Sequence, residues 1–324
     1  MAGRTINTSC FFIMGVDMLL YLGMFLVSLV VLIWGSDRFV DSAEKIGLGF
    51  GISPFIIGVT IVAFGTSLPE LASSIAAVFI GESEIVVGNV VGSNITNLLL
   101  VLGIVAVVSK QVQLNFRVMD VDIPLLVGSA FFLWFVLQDL SVSLLEAILF
   151  LVALAIFLIN TFRGDEDEPK QERSKVSWKT YLILIVAGAL VYLGANYTIV
   201  SIQKLSDLLG IQSQVIALTL VALGTSLPEV VVSVTAARRG NSAIAIGNVL
   251  GSNIFNTYAV MGIPALFAPL TIPPSILDFS LPLMVAVTVL FGIITVTHRV
   301  SRWEGAMFLL FYGYFLIELV KGQV

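Results

Sequence analysis

Apolar residues fill this 324-residue chain in long blocks separated by short polar clusters. The blocks lie at 19–43, 52–80, 84–109, 120–138, 142–162, 177–203, 211–237, 243–269, 278–297 and 303–321. Each is near the length, about 20 residues, at which a helix crosses a hydrocarbon core about 30 Å thick. The pattern therefore predicts ten membrane-spanning helices. Two blocks carry the same interruption. Gly65-Thr66-Ser67-Leu68-Pro69-Glu70 in the second returns as Gly224-Thr225-Ser226-Leu227-Pro228-Glu229 in the seventh. Proline inside a helix removes a backbone donor and clashes with the carbonyl four residues back, here Gly65 and Gly224. Freed carbonyls at membrane depth persist only in a protein interior or against a watery cavity. A glutamate in a spanning segment is costly and marks function by default. Two such hexads, one in each half, predict one ion site shared between the halves.

The halves are repeats. A shift of 159 residues aligns 51–103 with 210–262 without a gap, and 27 of those 53 positions are identical. Identity concentrates on small, polar and proline positions, not on the hydrophobes that any span needs. Gly35 still pairs with Gly194 outside this window. Residues 1–162 are expected to form a first five-helix repeat and 177–324 a second, joined by the charged linker 163–176. The linker's acids lack the spacing of a calcium-binding EF-hand loop and read as a solvated connection. An odd number of spans per half inverts the second relative to the first. Thirteen of the sixteen Lys and Arg fall in or beside the odd-numbered connections. By the positive-inside rule these connections and the linker are cytoplasmic, and both termini are outside. Residues 1–17 read as a leader to the first span rather than a signal peptide. The expectation is an all-α integral membrane protein of two inverted five-helix repeats, an architecture that places substrate sites at the repeat interface.

Composition agrees: 58% of residues are hydrophobic and 11% charged, against roughly 25% charged in soluble domains. The net charge of −5 is thus no guide to partners. The single cysteine, Cys10, excludes an intrachain disulfide and a cysteine-based metal cage.

On a continuous helix Ala63, Thr66, Ser67 and Glu70 share one face, and Ala222, Thr225, Ser226 and Glu229 repeat it. In the next helix of each half, Asn89, Ser93 and Asn97, then Asn248, Ser252 and Asn256, step by four. Gly88 with Gly92, and Gly247 with Gly251, are small-xxx-small pairs that admit a close backbone. The donors are oxygens only, which suits Ca²⁺, Na⁺ or Mg²⁺ rather than zinc or copper. Taken singly, a hydroxyl in a membrane helix usually bonds back to a carbonyl and an asparagine often joins helices. Glu70 and Glu229 are different, because a structural role would need a buried cation and none lies nearby in these spans. Asp37, Glu44, Asp120, Asp122, Glu146 and Glu318 sit near predicted helix ends, where solvation explains them.

The paired GTSLPE and GNxxGSNIxN segments resemble the α-repeats of the Na⁺/Ca²⁺ exchangers in the cation/calcium antiporter superfamily, particularly its compact prokaryotic members. The resemblance covers both halves and implies antiport of Na⁺ against Ca²⁺, typically three Na⁺ for one Ca²⁺. It implies that Glu70 and Glu229 are the central carboxylates. Thr66, Ser67, Thr225 and Ser226, with the carbonyls of Ala63 and Ala222, would complete the metal sites. Ser93 and Ser252 would assist, and Asn97 and Asn256 would line the middle. Several relatives, potassium-dependent ones among them, carry aspartate at the position of Asn256, so the amide argues against potassium dependence. The partners implied are Ca²⁺, Na⁺ and the lipid bilayer, with no cofactor and no nucleic acid, and the chain is expected to act as a monomer in the cell membrane.

Other readings stay open. Ca²⁺/H⁺ antiport through the same glutamates is the nearest. A passive channel usually gathers its filter from several subunits, whereas this chain holds two complementary half-sites. An intramembrane enzyme would need a base, nucleophile and oxyanion arrangement, and none is evident.

Overall fold

The computed structural model describes residues 8–109, 111–113, 122–163, 175–208 and 224–321. It is helical almost throughout. Helix α1 (Thr8–Phe50) is far longer than the block 19–43. Its 43 residues reach about 64 Å at 1.5 Å each, so it projects beyond the hydrocarbon core. The second block is broken into α2 (Pro54–Thr66) and α3 (Leu68–Phe79), bent by 40°. The remaining helices are α4 (Glu84–Ser109), α5 (Ile123–Val136), α6 (Leu144–Arg163), α7 (Trp178–Leu208), α8 (Leu227–Arg238), α9 (242–265), α10 (Ile276–Thr295) and α11 (Arg302–Val320).

The hexads differ in one respect from the kinked helix that their sequence predicts. Ser67, at φ −88° and ψ 3°, ends α2, and Pro69 falls in the first turn of α3. There its missing N–H costs nothing and its fixed φ suits the helix start. Proline therefore opens a helix here instead of bending one. Ser226 repeats this at φ −82° and ψ 2° before α8. The part of the seventh block before Gly224 lies outside the described residues, as do the linker at 164–174 and Asp120.

Two features escape the hydrophobic pattern. Helices α4 and α9 each contain one π-helical turn, Asn97–Val101 and Asn256–Val260. Short antiparallel ribbons also join connections that are distant in the chain. Strand β1 (Gln111–Gln113) pairs with β4 (Arg299–Ser301), and β2 (Ser141–Val142) with β3 (Leu270–Thr271). Their register sets Val112 opposite Val300 and Val142 opposite Leu270.

Packing follows the small residues. Gly35 of α1 rests on Leu190 and Val191 of α7, and a Cβ on Gly194 would overlap the backbone of Leu32. The two long helices thus cross backbone to backbone. On α9, a Cβ at Gly247 or Gly251 would overlap the carbonyl oxygens of Phe55 or Val59 on α2. A Cβ at Gly88 or Gly92 would meet nothing among the described residues. Helix α4 is central, with 78% of its apolar window buried against 17% for α1. Outward faces carry Leu19, Leu20, Val30, Leu145, Ile185 and Leu310, a lipid-facing surface. Trp178 and Trp303 stand exposed at helix starts, where membrane interfaces concentrate such rings. The chain is a multi-pass membrane protein.

The acids near helix ends are mostly engaged rather than merely solvated. Glu146 caps α6 through the Ser143 N–H at 2.7 Å, and Glu304 caps α11 through the Ser301 N–H at 2.6 Å, each the reciprocal pairing of a capping box. Asp37 accepts from Arg239 at 2.8 Å and Glu44 from Asn241 at 2.8 Å. Asp122 and Glu318 are buried, correcting the expectation of solvation, and Glu318 pairs with Lys321 at 2.7 Å.

Candidate ion site

Glu70 lies in the first turn of α3 and Glu229 in the first turn of α8. Each carboxylate therefore sits at the positive end of its own half-helix, a consequence of the break that a continuous helix would not supply. Their exposures are 0% and 1%, and they are close enough to interact electrostatically. Among the described residues neither pairs with Lys or Arg.

The hinges reach across the repeats. Ser67 Oγ donates to Glu229 Oε1 at 3.2 Å. Thr225 stands near Glu70 but does not reach hydrogen-bond geometry, since both Glu70 oxygens lack a partner among the described residues. Glu229 Oε2 and Ser226 Oγ are unpartnered in the same way. Unpaired polar oxygens this deep are costly, and a cation is the group that would satisfy them.

A second layer repeats with the 159-residue shift. Thr66 Oγ1 lies 3.1 Å from Asn248 Oδ1, 3.3 Å from the Ala63 carbonyl and 3.5 Å from Ser252 Oγ. Its single proton serves one of these at a time. Thr225 Oγ1 donates to Asn89 Oδ1 at 3.2 Å and lies 3.3 Å from Ser93 Oγ. Asn89 and Asn248 are held in turn by Ser74 at 3.1 Å and Ser233 at 2.8 Å. The Ala63 carbonyl accepts the Ser67 N–H at 3.0 Å, leaving one lone pair. Ala222 lies outside the described residues.

Asn97 and Asn256 begin the two π-turns and are fully buried. Asn97 Nδ2 donates to Asn253 Oδ1, and Asn256 Nδ2 to Asn94 Oδ1, each at 3.3 Å. The carbonyl oxygens of Asn97 and Asn256 have no partner among the described residues.

The expected site residues within the described chain thus lie on α2, α3, α4, α8 and α9 and their hinges, Asn97 and Asn256 in contacts separate from those of the acids. Sequence reasoning passed over Asn94, Asn253, Ser74 and Ser233. The signal was present: both pairs recur at the 159 shift, and each serine follows its glutamate by one helical turn. Among the described residues no three of His, Cys, Asp and Glu gather. What gathers instead is two carboxylates with hydroxyl, amide and carbonyl oxygens, a donor set whose chemistry suits hard ions. A cavity of about 1020 Å³ bordered by Phe39, Phe64, Leu68 and Tyr192 is apolar and contains neither acid.

Known proteins resemble this chain in sequence and in fold. Residues 20–163 and 179–321 each match the family described as sodium/calcium exchanger protein. The sodium/calcium exchanger MaX1 of Methanosarcina acetivorans is 36% identical, the match covering 91% of this chain and 97% of that protein. The inner membrane protein YrbG of Escherichia coli is 30% identical, with 92% and 95% covered. A solved structure of the sodium-calcium exchanger NCX_Mj superposes with a TM-score of 0.82 at 31% identity, covering 92% of this chain and 98% of that one. Matched in both halves and along nearly its whole length, the chain belongs to the sodium/calcium exchanger family.

Proposed function

We propose that the protein is a secondary antiporter that exchanges Na⁺ for Ca²⁺ by alternating access, extruding Ca²⁺ at the expense of the Na⁺ gradient. The observation that carries this reading is the pair of buried carboxylates, Glu70 and Glu229, each in the first turn of a half-helix and with no Lys or Arg partner among the described residues. Their charge of −2 is balanced by one Ca²⁺ or overbalanced by three Na⁺. That excess makes exchange electrogenic, and the amide of Asn256 supports independence from K⁺. Thr66, Ser67, Thr225, Ser226, Ser93, Ser252, Asn97 and Asn256 supply oxygens, with the carbonyls of Ala63 and Ala222. The relative MaX1 is named for sodium/calcium exchange, which favours Na⁺ over H⁺ as the coupling ion.

The ten-span, inverted plan belongs to the same proposal. Contacts between connections respect its parity. Ribbon β1–β4 joins the third and ninth connections, both odd, and β2–β3 joins the fourth and eighth, both even. The Thr271 N–H donates to Ser83 Oγ at 3.2 Å, joining the eighth and second. Lys and Arg counts make the odd side cytoplasmic, which places the linker 163–176 inside and both termini outside. The two five-helix repeats, 1–162 and 177–324, act together as a monomer. Purified protein in liposomes should take up ⁴⁵Ca²⁺ when loaded with Na⁺. Uptake driven fully by a pH gradient without Na⁺ would replace this reading by proton exchange.

A further inference from the structure

We propose that Asn94 and Asn253 are positioning residues that fix the orientation of the two central amides, and that they do so unequally. The inference rests on the ion site proposed above and assigns a role to residues outside its coordinating set. A primary amide beside a cation must present its oxygen, since its NH₂ face is repulsive. Asn97 and Asn256 are locked that way from behind. Each NH₂ is accepted by an asparagine of the opposite repeat, Asn253 Oδ1 for Asn97 and Asn94 Oδ1 for Asn256. The two carbonyl oxygens are thereby left free of protein partners among the described residues.

The backing differs between the halves. Asn94 Nδ2 donates to Thr257 Oγ1 at 3.0 Å and lies 3.7 Å from Met284 Sδ. The residue matching Thr257 in the first repeat is Leu98, which offers no acceptor. Asn253 Nδ2 is accordingly buried without a partner among the described residues. Thus Asn256 is held by an amide that is itself held, and Asn97 by one that is not. A site of near two-fold symmetry acquires one stiff and one adaptable amide.

Loss of one neutral hydrogen bond shifts such an orientation ratio by about 2- to 12-fold. Asn94→Leu and Asn253→Leu remove the acceptor while keeping the branched shape of the side chain. ⁴⁵Ca²⁺ binding to purified full-length protein, and its displacement by Na⁺, give the half-saturating Ca²⁺ and half-displacing Na⁺ concentrations. At least one of these should rise by about 2- to 12-fold in each variant. Asn94→Leu should add nothing in an Asn256→Ala background, nor Asn253→Leu in Asn97→Ala, because each acts only through its partner. Thr257→Val should reproduce part of the Asn94→Leu shift, and Thr257→Ser should restore parental values. If the leucine variants do not elute as folded protein, the Thr257 pair decides alone. Unchanged ion concentrations, or additive shifts in the double variants, would overturn the assignment. A parent that binds no Ca²⁺ overturns the proposed function itself, and this inference with it.

Discussion

Replacing either central carboxylate by its isosteric amide separates charge from shape. Glu70→Gln and Glu229→Gln keep the volume of a fully buried side chain and remove one of two negative charges. At an effective dielectric near 20, a carboxylate about 4 Å from a monovalent ion contributes ~4 kcal/mol, and ~8 kcal/mol to a divalent one. The difference, ~4 kcal/mol, corresponds to about 10³-fold, so the loss should fall on Ca²⁺ more than on any single Na⁺. Glu229 also accepts from Ser67 at 3.2 Å, a bond that a glutamine oxygen retains, so both variants should fold. In liposomes, Na⁺-driven ⁴⁵Ca²⁺ uptake should drop to background in each, while ²²Na⁺ exchange declines less. Calcium flux within a few-fold of the parent in either variant would refute the assignment of both acids to one divalent site.

Three further outcomes are expected. Exchange should respond to an imposed membrane voltage and be indifferent to K⁺; a flux that ignores voltage would remove the excess-charge argument. In a Cys10→Ser background, a cysteine at Ser174 should be protected from an impermeant thiol reagent on intact cells and one near Val324 should react. The opposite labelling would reverse the orientation. Gly251→Val should lower the melting temperature, because a Cβ there overlaps Val59 and Ala63 and overpacking costs about 1–3 kcal/mol. Gly313→Ala, whose Cβ meets nothing among the described residues, should not; equal melting of the two would contradict the α2–α9 contact.

Much of the site was legible because it is written twice. The hexads, the asparagine stripes and the paired glycines all stand at identical positions in both repeats. What hydropathy could not convey was backbone state. The block 52–80 is apolar on both sides of Ser67, so no change of pattern marks where α2 stops. Only the rule that proline suits a first turn locates the restart. The π-turns at Asn97 and Asn256 are likewise silent in composition, since a wider turn changes which residues face one another, not which are apolar. The ribbons were missed because two or three residues of strand between long helices carry no periodicity to detect. Asn94 and Asn253 were passed over because they lie off the four-residue stripe of their own helix, and only the approach of α4 to α9 sets each beside the stripe of the other repeat.

The repeats diverge where their surroundings must differ. Helix α8 ends in Arg238 and then Arg239, and the matching residues at the end of α3 are Phe79 and Ile80. Arg239 bridges to Asp37 at 2.8 Å and approaches Asp41 at 3.7 Å on α1. Phe79 instead packs beside Phe267, with ring centroids 5.3 Å apart. On α7 the positions matching Asp37 and Asp41 are Asn196 and Val200, so the second long helix lacks the two acids that meet Arg239 on the first. Under the proposed orientation the Arg239 cluster lies at the cytoplasmic face and Phe79 at the external one, as the charge rule for membrane connections requires. The proposed inversion would explain both halves of the pattern. Residues assigned to the shared ion site are identical, as expected if each repeat presents one side of a single site. Residues at the helix ends are not, as expected if the same motif emerges into opposite compartments.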